Sequence, residues 1–275
     1  MPPFPFQGTA WALSSDGLAG VASSLGVYAP EIWSVLAVET SGCGYLPDRR
    51  PQILFERHVF HRVTNGQYHD GQISDPSQGG YGPRGAYQYD RLAIAITKDR
   101  IAALQSASWG IGQILGENYA LAGFQNVQDM VAAMSQSEDQ QVVAMGSFLV
   151  STKLGASLQA HDWTRFARGY NGRNYAINRY DIRLNAEFQK YSSGVFPDLT
   201  VRAAQLYLTY LGFHPGPVDG IAGVKTISAL SQFQAQSGLQ TTNVIDGSTV
   251  TQLQAALPSV DVMPGEHNVQ QSLTR

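Results

Sequence analysis

The chain of 275 residues is 43% apolar and only 14% charged, a composition that supports one or two domains with real cores and excludes general disorder. Its net charge of −3 excludes the basic footprint of a nucleic-acid binder, and with it electrostatic attraction to an anionic wall or membrane as the localising force. A single cysteine, Cys43, excludes an intrachain disulfide.

The first residues, Met1-Pro-Pro-Phe-Pro-Phe-Gln7, have neither a basic n-region nor a continuous apolar h-region and read as lacking a signal peptide. No run approaches the roughly 18 apolar residues of a membrane span, so no membrane insertion is expected. Ser14-Ser15-Asp16 opens a helix that runs to Gly26, and Ala29-Pro30-Glu31 opens the next, with Pro30 suited to a first turn. Residues 64–90, rich in Gly, Tyr, Asn, Asp and Gln, read as loop or extended surface. Helical periodicity returns near Tyr89 and persists with breaks to Tyr191. The stretch Tyr191-Ser-Ser-Gly-Val-Phe-Pro197 is a linker. Beyond it Val201, Ala204, Leu208 and Leu211 mark a helix stopped by Gly212, and two more helices follow over about Lys225–Ser237 and Ser248–Leu257. Residues 258–275 are polar and patternless and are expected to be mobile.

In the helix Pro30–Thr40, at about 100° per residue, Ile32, Val35, Leu36 and Glu39 fall in one stripe. Glu39 therefore shares the face that must be buried. A carboxyl group partly withdrawn from water resists ionisation, and a protonated glutamic acid at neutral pH is what a departing glycosidic oxygen needs from a general acid. Periodicity alone also permits a glutamate bonded to nearby backbone or to an arginine.

Three ordered blocks add to this reading. Val38-Glu39-Thr40-Ser41-Gly42-Cys43-Gly44, with Arg50-Pro-Gln-Ile-Leu-Phe-Glu-Arg-His58, is the first. Ser108-Trp-Gly-Ile-Gly-Gln113 is the second, and Ala167-Arg-Gly-Tyr170-Asn171-Gly172 the third. Together they resemble the phage-type N-acetylmuramidase domain of the lysozyme and lytic transglycosylase superfamily, over about residues 10–191. The resemblance implies a mainly α-helical, lysozyme-like domain over residues 1–192 with a small β-hairpin near a cleft, and an endolysin-type hydrolase of the β-1,4 bond between N-acetylmuramic acid and N-acetylglucosamine. It implies Glu39 as the acid, Gln113 and the Gly110–Gly112 backbone lining the saccharide groove, and Tyr170 and Asn171 beside the acid. No cofactor or metal is implied, the chain is expected to act as a monomer on peptidoglycan, and release from the host cytoplasm would fall to a partner.

For a second catalytic carboxylate Glu56 is the first choice, against pairing with Arg57, Arg49 or Arg50; Asp70, Asp75 and Asp90 are weaker candidates. Some superfamily members dispense with a second carboxylate and form anhydro products as transglycosylases, and the sequence leaves that alternative open. Cys43 as a peptidase nucleophile, and His58, His61 and His69 or Asp70 as a zinc site, lack the flanking motifs those chemistries need. A wall-binding or virion structural protein with a decayed lysozyme fold is the non-enzymatic alternative. Residues 198–257 resemble the three-helix peptidoglycan-binding domain through Val201-Arg-Ala-Ala-Gln-Leu-Tyr-Leu208, Gly216-Pro-Val-Asp219-Gly220-Ile-Ala-Gly223-Val-Lys-Thr226 and Phe233-Gln234 with Gly238-Leu239. Asp219, Gly220, Gly223 and Thr226 read as turn and cap residues, and the module's expected contribution is avidity.

Overall fold

A computed structural model describes residues 6–260 of the chain. The first two helices are α1 (Ser15–Leu25) and α2 (Ala29–Thr40), which meet at 107°. Both begin and end where the sequence dictates. The Ser14 hydroxyl accepts from the Gly17 amide to cap α1, and Gly26 closes it at φ 62°. Glu31 turns back to accept from the Tyr28 amide at the start of α2, and its other oxygen meets His161 Nε2 at 2.7 Å. Ser41 at φ 57° and Gly42 at φ 80° then turn the chain out of the helix. Ile32, Val35 and Leu36 on one face of α2 are wholly buried.

The chain continues through β1 (Ile53–Phe55), α3 (Arg57–Val63), α4 (Ala86–Ile96), α5 (Arg100–Gln105), β2 (Ala107–Trp109) and β3 (Ile114–Leu115). The strands form one antiparallel sheet in the order β1-β2-β3, with Ile53 opposite Trp109, Leu54 opposite Ser108, and Ser108 opposite Leu115. The hairpin is thus β2–β3, built from the second sequence block. The segment after the acid supplies only the outer strand. Side chains alternate across the sheet: Ala107 and Trp109 enter the core, while Ser108 and Leu54 face a cleft. Helical order in the loop-rich region resumes at Ala86, three residues earlier than periodicity suggested.

Five helices complete the larger unit: α6 (Val127–Gln136), α7 (Glu138–Ser151), α8 (Gly155–Gln159), α9 (Trp163–Tyr170) and α10 (Tyr180–Ser192), with α10 lying along α2 and α7 along α1. The module beyond the linker has α11 (Leu199–Tyr210), α12 (Val224–Gln236) and α13 (Gly247–Ala255). Its loops are organised by buried Gln205, whose side chain bonds Asp219, Gly220, Ile221 and Thr226. The module does not stand apart, because its core cluster also includes Ala10 and Tyr45 from the larger unit. Arg49 Nη1 donates to the Pro258 carbonyl at 2.7 Å, which holds the start of the segment expected to be mobile; residues 261–275 lie outside the described residues. Among the described residues no single helix is long and apolar enough to cross a membrane.

Trp109 is fully buried, packs against Phe6 and donates its indole N–H to the Leu104 carbonyl at 3.1 Å. Trp109→Ala removes both the packing and the floor of the sheet. Urea titration is expected to show a loss of about 3–5 kcal/mol.

Candidate active site

One cleft of about 660 Å³ runs between the end of α2, the sheet and the loops that precede α4 and α10. It is lined by Glu39, Glu56, Ser108, Gln113, Tyr170 and Asn171, with Tyr180 and Arg183 from α10. The side chains singled out from three distant sequence blocks therefore meet in one place, but the Gly110–Gly112 backbone does not join them. Gly110 does not line the cleft. It opens the β2–β3 turn at φ 70°, and a Cβ there would fall 2.6 Å from the Gln141 side chain. Its glycine answers to internal packing, not to the approach of a sugar. Gly112 likewise packs on Met145.

Glu39 is half-buried, open to water only along the cleft, with its carboxyl ringed by protein. That burial pushes its pKa up to about 7; the hydrogen bond from Tyr180 and the charges of Arg183 and Arg84 pull the other way without cancelling it. The phenol on the acid is thus Tyr180, the first residue of α10, and not Tyr170. Tyr170 spends its hydroxyl on the Gly112 carbonyl at 2.5 Å and stacks on Phe166, fixing the β2–β3 turn against α9. Arg183 Nη2 donates to the Val38 carbonyl at 3.0 Å, one residue before the acid. Sequence reasoning missed Tyr180 and Arg183. The only available signal was their position three residues apart at the start of a helix, close after the third block.

Glu56 lies just beyond β1 and faces the same cleft. None of the three arginines considered as its partners takes it. Arg57 pairs with Asp75 at 3.3 Å, Arg50 with Asp48, and Arg49 donates to backbone carbonyls. The Glu56 carboxyl accepts from the Ser108 hydroxyl and faces His58 Nδ1, each at 3.5 Å. Burial raises its pKa, Ser108 counters, and Glu117 adds to the rise. Asp70 and Asp75 cap turns by accepting from Gln72 and Ser77, and neither they nor exposed Asp90 line the cleft.

Gln113 stands at φ 49°, a left-handed conformation that a β2–β3 turn this tight demands. Its side-chain amide donates to the Gly110 and Gln52 carbonyls, so the amide nitrogen is engaged in holding the turn. Two lining loops are joined where Asn174 Nδ2 donates to Gln78 Oε1 at 2.7 Å. Among the described residues no three His, Cys, Asp or Glu side chains gather as a metal site, and His61 instead meets Ser74. Burial pushes the Cys43 thiol up to about 11, far from the thiolate a peptidase nucleophile requires.

A partly buried glutamic acid at the end of a helix, in a cleft shared with a short antiparallel sheet and within a helical shell, defines a lysozyme-like site. The profile of the N-acetylmuramidase family matches residues 28–192, and that of a peptidoglycan binding domain matches residues 198–253. The chain belongs to the N-acetylmuramidase family, carries a C-terminal peptidoglycan-binding domain, and is a peptidoglycan-cleaving enzyme. Among solved structures it is similar to the Burkholderia AP3 phage endolysin, at 34% identity and a TM-score of 0.60, over 70% of this chain and 73% of that one. Comparison with curated proteins finds no match.

Two outcomes follow from Glu39. Tyr180→Phe removes a hydrogen bond that favours the carboxylate, so the acid's pKa rises and the alkaline limb of kcat/KM moves to higher pH, by about one unit or less. A pH–rate profile on a soluble substrate checks the sign. The second outcome concerns stability. A carboxyl whose folded pKa of about 7 exceeds its unfolded value contributes stability below the unfolded value, which is lost as pH rises through 7. Glu39→Gln cannot ionise, so at pH 8 it should outlast the parent chain in thermal melts by on the order of 1 kcal/mol, a figure discounted for water in the cleft.

Proposed function

We propose that this chain is an endolysin-type muramidase in which Glu39 protonates the oxygen of the β-1,4 bond between N-acetylmuramic acid and N-acetylglucosamine. The observation that carries this reading is the placement of Glu39, a carboxyl at the end of α2 that opens on a saccharide-sized cleft and accepts from Tyr180, where burial pushes its pKa up to about 7. About half of such groups hold their proton at neutral pH, against well under a hundredth for an ordinary glutamate. As the leaving oxygen takes that proton, charge develops on the sugar ring and on the Glu39 carboxylate. Tyr180 and Arg183 then stabilise the ionised acid, so the groups that oppose its protonation at rest assist its departure.

Glu56 fits the part of second carboxylate. It is in the cleft and free of any arginine; burial raises its pKa, and the Ser108 hydroxyl counters that rise. There it would activate a water or steady the oxocarbenium-like ring. Arg62, Arg84, Arg173 and Arg183 also line the cleft. Arg62 is taken by Glu117, but the charge of the other three suits a glycan bearing carboxylates, as peptide-substituted muramic acid does and chitin does not. The likeness to a phage endolysin supports a lysis role in which the enzyme reaches the wall after release from the cytoplasm.

Glu39→Gln is expected to abolish wall clearing while leaving the fold intact, and near-normal activity would overturn the assignment. Glu56→Gln should lower turnover by about 100-fold or more. Mass spectrometry of the digest decides the chemistry: reducing-end muramic acid means hydrolysis, and anhydro-muramic acid means that the substrate's own acetamido group does the work assigned to Glu56.

A further inference from the structure

We propose that Arg202, a residue of the peptidoglycan-binding module, is a positioning residue for the catalytic cleft. It fixes the loop that follows the acid's helix, so catalytic domain and module act as one body. The inference rests on Glu39 as the acid.

Arg202 lies on α11 at 1% exposure, and Glu138, the first residue of α7, at 0%. Across the domain boundary Nη1 meets Oε2 at 2.5 Å and Nη2 meets Oε1 at 2.6 Å. Arg202 Nε donates to the Gly42 carbonyl at 3.0 Å, and Nη2 reaches the same oxygen. Glu138 also accepts the amides of Gly44 and Leu13, each at 2.8 Å. A buried pair of this kind adds little net stability over a well-packed apolar one, whereas stranding either charge is strongly destabilising. Its value lies in the geometry it imposes.

That geometry leads to the cleft. Gly42, Cys43 and Gly44 are the residues through which the chain leaves α2 just beyond Glu39. Arg202 holds the carbonyl of the first, while Gln52 holds the second through Nε2 and the third through its backbone amide, at 2.9 and 2.7 Å. The carbonyl of Gln52 in turn accepts from the Gly110 amide and from Gln113 Nε2. Gln52 and Gln113 line the cleft beside Glu39. The loop has no slack, since a Cβ on Gly44 would fall 2.0 Å from Gln141 Oε1, and Gln141 also holds the Ile111 amide. A continuous set of hydrogen bonds thus runs from the module's first helix to the floor of the site.

The surrounding seam is equally fixed. Tyr207 accepts from the Ala12 amide at 3.2 Å, Tyr210 donates to the Ala10 carbonyl at 3.1 Å, and Trp11 packs edge-on against Tyr207. A module that served avidity alone would need only a linker.

The avidity role and the positioning role predict opposite patterns. In the full-length chain, Arg202→Lys keeps the charge but cannot present the two-pronged fork, and Arg202→Met removes both. The substrate is a soluble peptide-bearing glycan of a few disaccharides, too short to need anchoring. Well below each variant's melting temperature, kcat is expected to fall about tenfold for Arg202→Lys and further for Arg202→Met. KM and binding to purified sacculi should stay within about twofold, as misplacement of the reacting groups requires. A folded Arg202→Lys with parental kcat overturns the proposal, as does a loss confined to sacculus binding. Should that variant lose its cooperative melt, Arg202→Met combined with Glu138→Gln strands no charge and carries the same test. Glu39→Gln in the same assay separates the two failures: residual turnover there sinks the acid assignment whatever Arg202 does.

Discussion

The carboxylate of Glu138 is buried where no water can answer it, and a charge so placed must find donors for its lone pairs within the protein. It finds them in three segments that the sequence keeps far apart: the Leu13 amide before α1, the Gly44 amide after α2, and the Arg202 fork on α11. Its place at the first turn of α7 adds the favourable end of a helix dipole. Remove this carboxylate and three independent donors are orphaned together. The N-terminal segment, the exit from α2 and the binding module are held by the same two oxygens.

Set against Glu138, Glu39 shows how one residue type performs two tasks. Both carboxyls are surrounded by protein. Glu138 is met by a guanidinium and two amides, while Glu39 has one phenol and more distant arginines. The better-answered carboxyl ties segments together; burial pushes the pKa of the under-answered one up to about 7, which leaves it able to give a proton away near neutral pH. The site is thus built by withholding donors from a buried acid, at a cost in stability near neutral pH that the rest of the fold carries.

Much of this was legible in the sequence. The caps of α1 and the Pro30 start of α2 set the helix boundaries, and the period of Ile32, Val35 and Leu36 placed Glu39 on the inward face. The ordered blocks brought Glu39, Gln113 and Asn171 to one cleft. Two kinds of information were not legible. Which tyrosine bonds the acid depends on how α10 crosses α2, a tertiary fact that local pattern does not encode, so Tyr170 was expected beside Glu39 while the bond from Tyr180 was missed. Gly110 looked like a residue cleared for a sugar because a glycine's neighbour cannot be read from its own identity; here the neighbour is Gln141. The Arg202–Glu138 pair was equally hidden. Both residues sit in helical segments where a charged side chain ordinarily reads as a solvated face, and only the docking of α11 shows that they are buried together.

The seam around Arg202 also sets how the enzyme meets an insoluble polymer. A catalytic head on a free linker sweeps a volume around its anchor and can attack any bond within reach. A head fused to its anchor cuts at one distance and in one orientation, the way a fixed-jaw tool does. Once the bond in register is broken, further cutting on a rigid wall requires the anchor to let go and bind again. On such a surface tighter anchoring does not mean faster lysis, and the dissociation rate of the module becomes the clock.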